Sequence, residues 1–125
     1  MRRKSTILTQ QELEIMKVVW EHDSVTVRDV YETLLKRRKV AYTTVMTMMK
    51  ILEQKKYLKK NQTDRAHVYR PTQPRRKVIG AMVRDFVNRV FNGSAEPLLV
   101  HLVEEHDLSP EDLEEIARMR QQDKS

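Results

Sequence analysis

Tyr42 to Leu58, YTTVMTMMKILEQKKYL, is a helix-length segment with one apolar side and one polar, threonine-rich side. Val45, Met48, Met49 and Leu52 fall at i, i+3, i+4 and i+7, which on a 3.6-residue period is a single buried stripe. Thr43, Thr47, Lys50 and Gln54 point the other way. Their hydroxyl, amide and ammonium groups are suited to phosphates and base edges. Basic runs lie on both sides, Lys36-Arg37-Arg38-Lys39 before and Lys55-Lys56 and Lys59-Lys60 after. The segment reads as the recognition helix of a DNA-binding domain.

Working back from it, Thr9-Gln10-Gln11-Glu12 has the form of a capping box, which starts a helix near Gln10. That helix runs to about His22 and buries Leu13, Met16 and Trp20 with support from Ile15 and Val19, so the single Trp reads as core. Thr26, with Asp29 three residues on, caps a second helix whose apolar set is Val27, Val30, Tyr31 and Leu34. It ends in the basic run at Lys36, and the third helix is entered at Tyr42 or Thr43. Working forward, the period changes after Lys56. Tyr57 to Asn61 and Ala66 to Arg70 roughly alternate apolar and polar residues, with Asn61-Gln62-Thr63-Asp64-Arg65 as turn chemistry between them. Pro71 and Pro74 donate no ladder hydrogen bond and close the hairpin. Three helices followed by a hairpin make a winged form of the helix-turn-helix.

The rest is helical. Arg75 to Asn92 carries a wide stripe of Ile79, Met82, Val83, Phe86, Val87, Val90 and Phe91, and Gly93-Ser94 ends it. Pro97 to Glu105 gives a short helix with Leu98, Leu99, Leu102 and Val103. Ser109-Pro110 starts a last one, lined by Leu113, Ile116 and Ala117. About fifty residues in three helices bury this much apolar surface poorly alone, and a second copy is the simplest completion. The expected fold class is mainly α with a small β-hairpin: a winged helix-turn-helix over 1–73 and a helical dimerisation domain over 74–125.

Charge agrees with that division. Residues 1–76 hold 18 Lys and Arg against 8 Asp and Glu, a balance of +10, whereas residues 77–125 hold 6 against 10, a balance of −4. A polyanion partner for the first part fits, although skewed solvated charge also occurs on proteins that bind no nucleic acid. There is no cysteine, which excludes disulfides, thiol nucleophiles and thiolate metal sites. Gln10, Gln11, Glu12 and Glu14 interrupt the basic start, so a signal peptide is not expected, and no stretch is apolar enough to span a membrane; a cytoplasmic protein without direct membrane binding is expected. The chain has two glycines, Gly80 and Gly93, with no Gly-rich phosphate loop and no HExxH, which argues against an enzyme. The histidines His22, His67, His101 and His106 are scattered. His101 and Glu105 stand one helical turn apart but lack a clustered third ligand, so neither a metal nor a cofactor is expected. Met46, Met48, Met49, Met82 and Met119 read as packing or groove residues.

Four sets of strings resemble the penicillinase-repressor (BlaI/MecI) family nearly end to end. They are Glu12-Leu13-Glu14-Ile15-Met16-Lys17-Val18-Val19-Trp20, Thr44-Val45-Met46-Thr47-Met48-Met49, Arg65-Ala66-His67-Val68-Tyr69-Arg70-Pro71, and Phe91-Asn92-Gly93-Ser94 followed by Leu108-Ser109-Pro110-Glu111-Asp112-Leu113. The resemblance implies a homodimer that binds an inverted-repeat DNA operator and represses transcription. It also implies control in which a membrane-bound sensor protease leads to cleavage in the dimerisation domain, with that sensor or a protease downstream of it as a partner. Three positions depart from the family. Lys56 stands where the family often has Gly just past the third helix, Ile51 where it often has Arg, and His101-Leu102 where penicillin-responsive members have the cleaved Asn-Phe pair. The operator sequence therefore does not carry over, and whether repression is relieved by that proteolysis or by another signal stays open. Copper-responsive relatives use cysteine ligands that this chain lacks.

For DNA contact the expected residues are Thr43, Thr44, Met46, Thr47 and Lys50 in the groove, with Met46 offered to a thymine methyl, and Lys59, Lys60 and Arg65 on the wing. Lys36 to Lys39 fit either phosphate contact or a soluble loop, and Arg2, Arg3 and Lys4 an arm that adds affinity without reading sequence. The expected dimer face comprises Ile79, Met82, Val83, Phe86, Val90, Leu98, Leu99, Leu102, Val103, Leu113 and Ile116. Two competing classes remain: a winged helix that docks on protein without specific DNA binding, and one that binds RNA, which the scarcity of stacking aromatics disfavours.

Overall fold

The computed structural model describes residues 7–62 and 67–124, with side chains to residue 120. Arg2, Arg3, Lys4 and Arg65 lie outside the described residues. The element order is α1 (Gln10–His22), α2 (Val27–Leu35), α3 (Tyr42–Gln54), β1 (Leu58–Gln62), β2 (His67–Pro71), α4 (Arg75–Phe91), α5 (Glu96–His106) and α6 (Pro110–Lys124). The chain divides into two compact units, Met1–Gly80 and Ala81–Ser125, and the division falls inside α4.

In the first unit both opening helices start on reciprocal caps. Glu12 N–H donates to the Thr9 hydroxyl (3.1 Å) while Thr9 N–H donates to the Glu12 carboxylate (2.9 Å). Asp29 and Thr26 repeat the exchange at 3.1 and 2.9 Å. Each pair satisfies two of the backbone donors that a helix start leaves free, worth about 1 kcal/mol per cap. α1, α2 and α3 then bury Ile15, Met16, Val18, Val19, Val30, Leu34, Val45, Met49 and Leu52 against one another, all within 1% of full burial. A fully buried side chain of this size contributes roughly 1.5–3 kcal/mol, so these residues form the unit's main stabilising mass.

β1 and β2 pair antiparallel with Leu58 opposite Pro71, Lys59 opposite Arg70 and Lys60 opposite Tyr69. The strands run one residue later than the sequence pattern indicates, and Pro71 sits at the very end of β2, where a missing donor costs least. The hairpin has an addition that local pattern does not reveal. Val25 exchanges both backbone hydrogen bonds with Tyr69, at 3.0 and 2.7 Å, and so fastens the α1–α2 connection to β2. Val25, Leu58 and Tyr69 are buried at that join. Trp20, expected in the core, is only half-buried, and Val18 takes the core place instead. α1 is contacted by α2, α3 and β2 together, so its buried face is broader than the single stripe of a surface helix.

One charge lies inside this unit. Glu12 is 4% exposed, and its Oε1 accepts from Lys55 Nζ at 2.8 Å as well as from Thr9 N–H. Lys55 Nζ also donates to the Ile7 carbonyl at 3.3 Å. Burial by itself raises the Glu12 carboxyl pKa, but the Lys55 hydrogen bond, the Thr9 N–H and the Lys55 charge outweigh it and hold the carboxyl below its usual 4.5. The pair ties the last turn of α3 to the first turn of α1. Among the described residues no buried side-chain polar atom lacks a partner.

α3 ends on a left-handed residue that is not glycine. Lys56 has φ +73°, with Tyr57 N–H donating to the Leu52 carbonyl at 2.9 Å to close the turn. A left-handed position that favours glycine is thus occupied here by a Cβ-bearing residue.

The second unit contains the later part of α4, with α5 and α6. Asn92 (φ +54°) and Gly93 (φ +87°) end α4, and Gly93 N–H reaches back to the Val87 carbonyl at 3.1 Å. α6 opens on a reciprocal cap between Ser109 and Asp112, at 2.9 and 3.1 Å. Phe91 meets Phe86 edge-on and His101 at a tilt, both at 5.9 Å between centroids. Val87 alone among this unit's described residues is buried, while Val83, Phe86, Val90, Leu99, Val100, Leu102, Leu113, Ile116 and Met119 are 39–56% exposed. The remaining expected face residues, Ile79 (which belongs to the first unit), Met82, Leu98 and Val103, are half-buried.

Two stability outcomes follow from the first unit. Lys55→Met leaves the buried Glu12 carboxylate without its counter-ion and should cost about 2 kcal/mol at pH 7 by denaturant melting. Because the Glu12 pKa is depressed in the folded state, the pair's contribution is fully present above pH 4.5 and is lost as pH falls through the lower folded value. The gap between wild type and Lys55→Met should therefore close on acidification below pH 4.5; a constant gap would contradict the pairing. Lys56→Gly removes a left-handed cost of roughly 1–2 kcal/mol and adds about 0.5–1 kcal/mol of unfolded-state entropy. A net gain of roughly 0.5–1 kcal/mol is expected, and a loss would mean the Lys56 side chain itself holds the turn.

Candidate nucleic-acid interface

The candidate surface is set by how α3 is seated. With Val45, Met49 and Leu52 at 1%, 0% and 0% exposure, the helix has one permitted rotation about its axis. That rotation leaves Thr43, Thr44, Thr47, Lys50 and Gln54 exposed and Met46 half-buried at their edge. Met48, which the stripe assigns to the core, is also half-buried, as is Ile51. α3 begins at Ala41 without a side-chain cap, unlike α1 and α2. Tyr42, 39% exposed, stands against the Tyr31 ring edge-on at 5.3 Å and braces the helix entry on α2.

On the hairpin, Lys59 and Lys60 are both exposed, and Lys60 Nζ lies 4.0 Å from Glu53 Oε1 at the end of α3. Register supplies a residue that pattern reading missed. Arg70 is exposed and directly opposite Lys59. Two cations facing each other across strands repel, a placement that a polyanion relieves. The signal was present in the spacing of the hairpin, but only the register turned it into a pair.

The basic runs separate into two kinds. Arg38 is engaged with Glu14 through NH2 to Oε1 at 2.7 Å and Nε to Oε2 at 3.4 Å. The Arg38 guanidinium holds the Glu14 carboxyl below its usual range, and Arg37 and Lys17 nearby add to the effect. Lys55 is committed to Glu12. These two are fastenings between elements. Lys36, Lys39, Lys50, Lys56 and Lys59 are exposed and carry no ion pair among the described residues. A solvated ammonium with no protein partner is the kind of group that exchanges its counter-ion for a phosphate.

Elsewhere, among the described residues, no helix is long and apolar enough to cross a membrane. No three His, Asp or Glu side chains among them assemble into a group that could hold a metal ion, and His101 lies against the Phe91 ring.

Three helices, a hairpin backed by the Val25 bridge and a polar outer face on the third helix define a winged helix-turn-helix domain. The chain belongs to the penicillinase repressor family, whose sequence profile matches residues 8–122. It is 28% identical over 123 residues to the penicillinase repressor of Bacillus licheniformis, covering 98% of this chain and 96% of the relative. It is 39% identical over 103 residues to the transcriptional regulator BlaI of Mycobacterium tuberculosis (strain ATCC 25618 / H37Rv), covering 81% of this chain and 75% of the relative. The solution structure of the DNA binding domain of the repressor BlaI superposes with a TM-score of 0.52 at 31% identity, over 59% of this chain and 90% of that domain.

Proposed function

We propose that this protein is a dimeric transcriptional repressor that acts in the cytoplasm by placing α3 of each copy in the major groove of an inverted-repeat operator. The observation that carries the reading is the α3 surface: three buried anchors hold out a face of Thr43, Thr44, Thr47 and Lys50, none of which has an ion pair in the first unit. Hydroxyls and an ammonium on an exposed helix are the groups that meet base edges and phosphates, and half-buried Met46 offers an apolar contact to a thymine methyl. Lys59, Lys60 and Arg70 lie over the adjacent backbone in this reading, joined by Arg65 of the segment between the strands, and contribute affinity more than sequence discrimination. The second unit supplies the other half of the operator geometry. Its Val83, Phe86, Val90, Leu99, Leu102, Leu113 and Ile116 remain exposed in one chain, more apolar surface than a helical unit with a single buried residue among those described leaves uncovered without a partner. A second copy covers it with the same residues, as two-fold symmetry requires.

The primary test is selection of duplex DNA from a random library by the purified protein. An inverted repeat with half-sites about one helical turn apart, or a multiple of it, is the expected product. Absence of any consensus from folded protein would favour docking on another protein or RNA. Binding should weaken steeply with salt, and replacing Lys59 and Arg70 together by Ala should reduce the log–log slope by roughly 2. Thr47→Ala should weaken specific binding by about 1–3 kcal/mol and leave nonspecific binding nearly unchanged, whereas Arg65→Ala should lower both. Equal losses for Thr47→Ala on both DNAs would remove its base-reading role. Sedimentation should show a dimer at tens of micromolar, and Phe86→Glu with Leu102→Glu should give monomers.

A further inference from the structure

Of the basic run Lys36 to Lys39, Arg38 alone has an ion pair among the described residues. Its guanidinium reaches Glu14 on α1, 24 positions earlier in the chain, through a forked contact of 2.7 Å from Nη2 to Oε1 and 3.4 Å from Nε to Oε2. The two side chains are 42% and 24% exposed, so water screens the pair and it adds little to folding. Its place in the fold matters more. The α2–α3 turn closes with the Arg37 and Arg38 N–H groups on the Leu34 carbonyl, at 2.9 and 3.1 Å. Lys39 and Val40 then have no hydrogen bond among the described residues, and α3 opens at Ala41 with no side-chain cap. Arg38 is thus the last residue tied down before the helix's own bonds begin, a few positions ahead of Thr43 and Thr44.

Glu14 is an unexpected residue in this setting. Residues 1–76 have a balance of +10, and a carboxylate among them works against a polyanion. By charge alone, its replacement with a neutral group would tighten every DNA complex. Here, however, the carboxylate is spent on an arginine. The Arg38 hydrogen bond and charge, with the charges of Arg37 and Lys17, hold the Glu14 carboxyl below its usual range, so it is ionised at neutral pH. Lys36 and Lys39, on either side, are exposed and carry no ion pair among the described residues. A released Arg38 would join them as one more cation for phosphates, and phosphate contact carries no sequence information.

We propose that Glu14 is a specificity-determining residue for operator recognition: by occupying Arg38 as an internal stand-in for a phosphate, it fixes the approach to α3 and withholds a cation from sequence-independent backbone contact. This rests on the reading of the protein as an operator-binding repressor. Specificity is a difference between two affinities, and the latch acts on both, raising affinity for the operator and lowering it for other DNA.

The latch lies wholly within the first unit, so a single half-site of the inverted repeat recovered from the random library reports on it. The second probe is a scrambled duplex of the same length and composition, and both are titrated against the full chain. Glu14→Gln is nearly isosteric and removes the charge. It should lower half-site affinity by about fivefold, the worth of one ordinary hydrogen bond. On the scrambled duplex it should raise affinity by about twofold and steepen the log–log salt dependence by roughly 0.9, the effect of one added phosphate contact. The two affinities therefore move in opposite directions. Arg38→Gln breaks the same latch without freeing a cation, so half-site affinity falls by about fivefold while scrambled-duplex affinity does not rise. The double variant should lose no more half-site affinity than the larger single loss, because there is one latch to break. Denaturant midpoints of all three should stay close to that of the wild type, which separates positioning from loss of fold. A rise on both DNAs for Glu14→Gln would show that the carboxylate acts through charge alone and would overturn the proposal. Equal losses on both DNAs, unchanged affinities, or additive losses in the double variant would overturn it as well, with operator binding by the wild type intact. Failure of the wild type to bind any duplex selectively would instead overturn the repressor reading and this inference with it.

Discussion

The seating of α3 on α1 and α2 through Val45, Met49 and Leu52 is the constraint on which the rest of the first unit depends. Each residue advances an α-helix by about 100°, so displacing these anchors back by one position would turn Thr44 inward and a buried methyl group outward. The core has no partner for a buried threonine hydroxyl beyond the helix's own backbone, and leaving it unsatisfied costs about 1–3 kcal/mol. Apolar packing thus decides which polar groups face solvent. The candidate reading surface is a by-product of where the methyl groups go.

Electrostatics refines that seat. The Glu12–Lys55 pair connects the end of α3 to the start of α1, and the Arg38–Glu14 pair connects the α2–α3 turn to the same helix. Both pairs draw their cations from the basic runs that flank the recognition segment. A run of lysines and arginines in sequence therefore mixes two functions. Some members are neutralised inside the unit and hold it together; others keep their hydration and remain available to a polyanion. Which is which follows from the location of two glutamates more than twenty positions away in the chain, and no local pattern carries that information.

The two units differ in how much they complete themselves. The first closes a core from three helices and the Val25–Tyr69 bridge, and every buried side-chain polar atom described there is satisfied. The second buries Val87 and leaves its other apolar residues at least partly in water. Its helix ends are nonetheless well specified, by Gly93 with φ +87° and by the Ser109–Asp112 cap. Local stop and start signals work without a core, because they satisfy backbone groups within one turn of the chain. Burial of the stripe is a separate matter and needs a second surface.

By itself the sequence determined what depends on neighbours within a few positions. The capping boxes at Thr9 and Thr26, the start of α6 at Pro110, the two-sided character of α3 and the hairpin after Lys56 were legible because helix caps, periodicity and turn chemistry are short-range. The exposed Thr43, Thr44, Thr47 and Lys50 were legible for the same reason. Tertiary structure decided the rest. It moved Trp20 from the core to the Gln73 carbonyl and put Val18 in its place, since α1 packs on three elements at once. It recruited Val25 as a strand partner of Tyr69, chose Lys55 and Arg38 as fastenings, and set Arg70 opposite Lys59. Each of these joins residues far apart in sequence, and their energies exist only once the chain has closed the loops that bring them together.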